Sequence, residues 1–309
     1  MVYQITEVKD LSQATHILIP PIASNCPTGV SQAKLYTLER GLTDYIVDDK
    51  GNRNDNIFSE PSIQYFKLNR DSIKERQLVE ELSMISYLQG SKLSKKAYQQ
   101  IIRHEELVIP YLLQLVKDEA SRSQHPHYVG HVYALYLLAE LGATALFPVF
   151  IESFMQTETD EEHPMAHFLQ DDGARILASV YDGNLSRLLL LIESEHVYPY
   201  ARGQAIRALV ILVFMKRLER SEVQAYYKYR LKQEQNWQVM TQLVMSSTAL
   251  YPDQTYQEIK RAYEQGRVDE WFITLENVHQ TLELSEEIVL HISSQDRRLQ
   301  QVGVNNEHL

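Results

Sequence analysis

The sequence predicts an all-α fold, a HEAT-like α-solenoid with a small irregular or β-containing N-terminal region. Residues 128–216 read as three copies of one unit: a helix of small and branched apolar residues, a short break, and a second apolar helix. The breaks are Leu141-Gly142, Asp182-Gly183 and Lys216-Arg217. Aligning on them puts Leu135, Ile176 and Ile206 in one column and Ala139, Val180 and Val210 in another. Leu137, Ala178 and Ala208 make a third, with small residues where neighbouring helices approach closely. One such pair cannot bury its apolar face alone, so pairs are expected to stack.

The N-terminal residues 1–75 read differently. Thr15-His-Ile-Leu-Ile-Pro-Pro-Ile suits a short extended segment ended by two prolines. Residues 44–58 place apolar ends around a turn-rich middle, the pattern of a β-hairpin, although an irregular arm against the first helices is the open alternative. Helical spacing starts at Asp71–Leu88, stopped by Gly90. Ser94–His104 follows with Ser94 as N-cap, then Leu107–Glu119 with Pro110 in its first turn. Next come Pro126–Leu141, Ala143–Met155, Pro164–Tyr181, Leu185–Glu193, Tyr200–Phe214, Ser221–Lys232 and Asn236–Ala249, and Pro252 opens another. Short linkers favour antiparallel neighbours. Thr157-Glu-Thr-Asp-Glu-Glu is read as a solvated acidic loop. Trp271-Phe-Ile-Thr-Leu is expected to pack as a terminal cap, closing a repeat domain of residues 76–292 before a polar tail, 293–309.

Composition narrows the function. Of 309 residues, 44% are hydrophobic and 23% charged, a soluble globular profile. The longest apolar runs, 133–139 and 208–215, fall short of the roughly 20 residues a bilayer demands. The opening residues lack a basic segment followed by an apolar one, so no secretory signal is expected and a cytoplasmic location is. A formal charge of −11 repels phosphate backbones, so nucleic acid is not an expected partner. Basic spots at Lys92/Lys95/Lys96 and Lys228/Arg230/Lys232 read as solvated helix faces. Cys26 is the single cysteine, which excludes an internal disulfide and a cysteine-rich zinc site.

The repeat alignment yields a polar constellation. His131, Asp172 and Arg202 occupy the same site near the start of equivalent helices in successive repeats, followed by Trp237 in the fourth. Each lies at the edge of the buried face, four residues before a core column. Asp172 suits a helix start, whereas Arg202 there needs a partner. Asp172 is therefore expected to contact Arg202, Arg175 or His131, as a polar ladder that sets register or as part of a groove. His131, Asp172, Arg175, Arg202 and Trp237 are the groove candidates. His127 and His131, like His163 and His167, have the i,i+4 spacing of a helical metal pair, but no third ligand stands out except Asp171 or Asp172. No glycine-rich phosphate loop, Gly-x-Ser-x-Gly, His-Glu-x-x-His or calcium loop is present, so no cofactor and no catalytic residue are expected. Tyrosines at 198, 200, 226, 227 and 229 suit an interaction surface or helix packing.

Several segments resemble an uncharacterised bacterial family, the domain of unknown function 1186. They are Gly130-His-Val-Tyr-Ala-Leu-Tyr-Leu-Leu-Ala, Asp172-Gly-Ala-Arg-Ile-Leu-Ala-Ser-Val-Tyr, Tyr200-Ala-Arg-Gly-Gln-Ala-Ile-Arg-Ala-Leu-Val, residues 250–264 and Val268-Asp-Glu-Trp-Phe-Ile. The resemblance covers residues 95–295 and implies a helical-repeat fold akin to HEAT repeats, with no established activity. His131, Asp172, Arg175 and Arg202 match that family's pattern and His127 does not; the cysteine-rich zinc tail of some relatives is missing. The leading expectation is a non-enzymatic scaffold or adaptor that holds a protein or peptide in a solenoid groove. Two rivals stay open: an enzyme or cofactor-handling lyase or chaperone with a pocket at His131/Asp172/Arg175, and a structural subunit docked through the N-terminal arm.

Overall fold

The structure, a computed structural model, describes residues 16–19, 33–37, 46–47, 53–54, 95–117, 130–155 and 172–302. The expected helix at 71–88, Cys26, His127, the acidic loop 157–162, His163, His167, Asp171 and the tail beyond Val302 lie outside those residues. Strands β1 (His16–Ile19), β2 (Ala33–Thr37), β3 (Ile46–Val47) and β4 (Arg53–Asn54) follow one another in an antiparallel meander. His16 pairs with Thr37 and Ile46 with Asn54. Both β3 and β4 lie in the segment read as a hairpin, β3 at its first apolar end and β4 within its turn-rich middle, short of the second apolar end at Ile57-Phe58.

From Lys95 onward every regular element among the described residues is helical. Contacts divide the chain between Leu141 and Gly142 into two compact units. The first holds α1 (Lys95–Arg103), α2 (Glu105–Lys117) and α3 (Gly130–Glu140), and α2 packs against both of the others. Their core is Ile101, Val108, Leu112, Leu115, Ala134, Leu135, Leu137 and Leu138. Pro110 was expected in a first turn but lies inside α2, because the helix starts two residues earlier than predicted, at Glu105. Glu105 and Glu106 suit the positive end of the helix dipole, and the proline removes one interior bond.

The second unit contains α4 (Leu146–Met155), α5 (Gly173–Ser179), α6 (Leu185–Glu193), α7 (Pro199–Phe214), α8 (Arg220–Gln233) and α9 (Trp237–Ala249). A 3-10 turn at Pro252–Gln254, α10 (Tyr256–Glu264), α11 (Leu275–Glu283), α12 (Glu286–Gln295) and a 3-10 turn at Arg297–Leu299 complete it. α7 is its centre and packs against α5, α6, α8 and α9; α4 meets α6, and α8 meets α9 and α10. The sequence explains this role. From Ala201 to Leu212 all but one residue of α7 is buried, and a helix covered on all sides needs apolar or small residues all round. The three columns read from the sequence are core: none of their nine residues is more than 2% exposed. At the α5 start a Cβ on Gly173 would sit 3.2 Å from both Gln204 and Phe154. That close approach lets Gln204 Oε1 accept the Ala174 N–H at 2.9 Å, satisfying a first-turn donor.

The predicted breaks are left-handed residues: Gly142 at φ 61°, Gly183 at φ 94° and Lys216 at φ 58°. At the third, Arg217 N–H donates to Leu212 at 2.8 Å and Lys216 N–H to Val213 at 2.9 Å, the paired bonds that close a helix end. Lys216 holds a conformation that costs an L-residue about 1–2 kcal/mol. Lys216→Gly is therefore expected to stabilise the protein by about 0.5–1 kcal/mol, after the glycine's extra unfolded entropy is offset. A urea midpoint that fails to rise at constant slope would contradict this.

The terminal cap is a correction. Trp271 is 90% exposed and Phe272 57%; of that segment Ile273 turns inward. The stretch read as a polar tail is ordered at its start. Ser293–Gln295 belong to α12, and residues 300–302 return to α5.

Candidate functional site

Of the partners expected for Asp172, the structure places Arg175 against it, Nη1 to Oδ1 at 2.6 Å with both residues buried. The i,i+3 spacing on one helix face makes this pair possible. Arg175 does not look out into a groove. Its Nε donates to the Gln300 carbonyl at 3.1 Å and Nη2 to the Gln301 carbonyl at 3.4 Å. The Val302 N–H donates to Ser179 Oγ at 2.8 Å. Asp172, Arg175 and Ser179 thus staple an extended stretch of the chain itself onto α5.

Arg202 takes a different anion. It is 2% exposed, donates through Nε to the Ile192 carbonyl at 2.8 Å and through Nη2 to Glu234 Oε2. Glu234, which sequence reading missed, also accepts from Arg230 Nη2 at 2.9 Å and from the N–H groups of Gln235 and Asn236 at 3.1 and 3.0 Å. Its carbonyl accepts from Arg267. Burial pushes the Glu234 carboxyl up, but the Asn236 N–H, the Arg202 charge and the guanidinium hydrogen bonds outweigh it and hold the group below its ordinary range. The legible signal was the Arg230–Glu234 spacing of four, the geometry of a helical ion pair. Arg230, read as part of a solvated basic spot, is buried, and Lys232 reaches Glu258 at 3.7 Å. The remaining groove candidates are Trp237, 49% exposed at the start of α9, and His131, buried in α3 of the first unit.

No group of three metal-ligating side chains occurs among the described residues. Glu276, His279 and Tyr256 stand in the order of a carboxylate–imidazole–hydroxyl relay, with Tyr256 OH bonded to His279 Nε2. The Glu276–His279 separation of 4.0 Å is an ion-pair distance and not a hydrogen bond, and both side chains are exposed. Among the tyrosines, Tyr227 is fully buried and donates to the Ile206 carbonyl at 2.6 Å, whereas Tyr200 and Tyr229 are exposed.

An open concavity of the second unit lies elsewhere. A pocket of about 330 Å³ runs between α9 and α11–α12. Met245, Phe272, Ile273, Leu284, Val289, Ile292 and Leu299 supply apolar walls, and Arg207, Gln242, Ser246, Asp296 and Arg298 supply polar atoms. That volume and mixture suit a binding site. Arg298 Nη2 donates to Asp296 Oδ2 at 2.6 Å, and this bond in particular holds the Asp296 carboxyl below its usual range. The rim is apolar and open: Phe272 is 57% exposed, Leu284 43% and Ile292 58%. Ile288, a turn before Ile292, is 48% exposed, and Trp271 stands beside Phe272.

The loop presenting Trp271 and Phe272 is pinned. Asp269 N–H donates to Thr241 Oγ1 at 2.9 Å, Asp269 Oδ1 accepts the Trp271 N–H at 3.0 Å, and Tyr263 OH donates to the Ile273 carbonyl at 2.7 Å. Thr274 then opens α11 with a reciprocal cap to Asn277. A hydrogen-bonded backbone thus holds two large apolar side chains in water.

An uncharacterised protein of Chlamydia muridarum is 35% identical over 211 residues, covering 65% of this chain and 80% of the relative. One from Chlamydia trachomatis serovar D is 34% identical over 211 residues, covering 65% and 79%. No solved structure matches the chain. The family described as Protein of unknown function (DUF1186) matches residues 76–302, so the chain with this pinned loop and open pocket belongs to that family.

Proposed function

We propose that the protein is a cytoplasmic, non-enzymatic scaffold whose helices stack as HEAT-like pairs and hold a protein or peptide partner. Support for the stacking comes from the succession α5–α7–α9 packed side by side, with α4 meeting α6 and α8 meeting α10 among the alternate helices. The observation that carries binding is the open pocket between α9 and α12, continued outward by Phe272, Leu284 and Ile292. This moves the binding surface away from Asp172, Arg175 and Arg202, whose polar atoms are engaged within the chain. Those residues fit the register-setting ladder.

A photo-crosslinking amino acid in place of Phe272 tests the reading in cells. One discrete protein adduct is expected, abolished when Ile292→Glu is added. Absence of any protein adduct, with a small molecule co-purifying instead, would overturn it.

A further inference from the structure

Resting on that reading, we propose that the partner at this face is a basic amphipathic helix, with large apolar side chains along one stripe and lysine or arginine beside it. The face is built in rows. On α12 the inward row holds Val289 and Ser293, both lining the pocket, and the next row holds Ile288 and Ile292, about half exposed. The row beyond holds Glu287 and His291, both exposed. An apolar ridge beside a pocket that takes one anchor offers a surface on which the apolar stripe of a partner helix can lie.

Charge names the other half. Glu270 precedes Trp271, Glu283 precedes Leu284 and Glu287 precedes Ile288, and all three carboxylates are exposed. On the pocket side Arg207 and Arg298 share the carboxylate of Asp296, so the acidic character of the face rests on these three glutamates. The acidic end of the face is thus the turn from Glu283 to Glu287, and the net charge of −11 adds a long-range pull on a cationic segment.

The test uses the full chain and fluorescein-labelled peptides of about 18 residues, five helical turns. One is an amphipathic Leu/Lys helix, one its Leu/Glu twin, and one a scrambled Leu/Lys peptide without an apolar stripe. Anisotropy is expected to show the Leu/Lys helix binding best and weakening on the order of tenfold in Ile288→Ser/Ile292→Ser. Glu283→Lys/Glu287→Lys should shift preference toward the Leu/Glu twin. Glu283 and Glu287 are exposed and Ile288 and Ile292 about half exposed, so each variant is melted beside the parent and binding is compared at a temperature where both are folded. Equal binding of the scrambled peptide, or indifference to Ile288→Ser/Ile292→Ser, would show generic attraction to an acidic chain and overturn the proposal. So would stronger binding of the Leu/Glu twin. A dimer in sedimentation that Ile288→Ser/Ile292→Ser disperses would also overturn it, by assigning the face to a second copy. If the Phe272 crosslinker captures a partner through a neutral or acidic segment, the scaffold reading stands and this proposal alone falls.

Discussion

Glu234→Ala is expected to cost about 3–5 kcal/mol, because it strips one carboxylate from two buried guanidinium groups. Arg202 is 2% exposed and Arg230 8%, so neither can recover its hydration without opening α7, α8 or α9. The substitution also removes the acceptor for the Gln235 and Asn236 N–H groups, just where Asn236 caps α9. The cost measures leaving cations buried, and not the pair's net worth. A double variant that also replaces Arg202 with Met should therefore recover part of the loss. Chemical denaturation of the single and double variants checks this, and a loss below about 1 kcal/mol for Glu234→Ala would contradict it.

The same cluster sets a pH dependence. The folded Glu234 carboxyl is held below its unfolded value, so the unfolded chain binds its proton first as pH falls. Its contribution is complete above the unfolded value and is lost as pH drops through the lowered folded value. Glu234→Gln should flatten that part of the acid limb and leave neutral pH as the region of greatest difference from the parent.

Arg175→Ala is the second large effect, about 2–3 kcal/mol, from removing the guanidinium between the Asp172 carboxylate and the carbonyls of Gln300 and Gln301. It should also be local. Hydrogen exchange of the Val302 amide, bonded to Ser179 Oγ, should rise well beyond that of α7 amides. Asp172→Ala should lower stability by a similar route while leaving peptide binding at Phe272 and Ile292 intact. Lost binding without lost stability would return Asp172 to the binding surface.

What the sequence showed and what it hid divide along physical lines. The columns through Leu135, Ile176 and Ile206 were legible because core positions repeat with helix geometry, and all three are buried. The helix breaks were legible at Gly142 and Gly183, where glycine advertises a left-handed residue, and at Lys216 through alignment with those two. Pairing was legible only when local. Asp172–Arg175 lies within one helix, whereas Arg202–Glu234 joins residues 32 apart and depends on how α7 meets the α8–α9 corner. Trp271 and Phe272 misled because large apolar residues are ordinarily core. Their exposure follows from Asp269, Thr241 and Tyr263 fixing the loop backbone, which no local pattern announces.

The staple on α5 also bears on how the molecule assembles. Its three hydrogen bonds join positions 123 to 126 apart along the chain. Closing so long a loop is entropically expensive until the intervening helices have condensed. The seam between α5 and residues 300–302 is thus a late event, made after α7 has gathered its neighbours. By the same reasoning it is expected to open at a lower temperature than the α7 core.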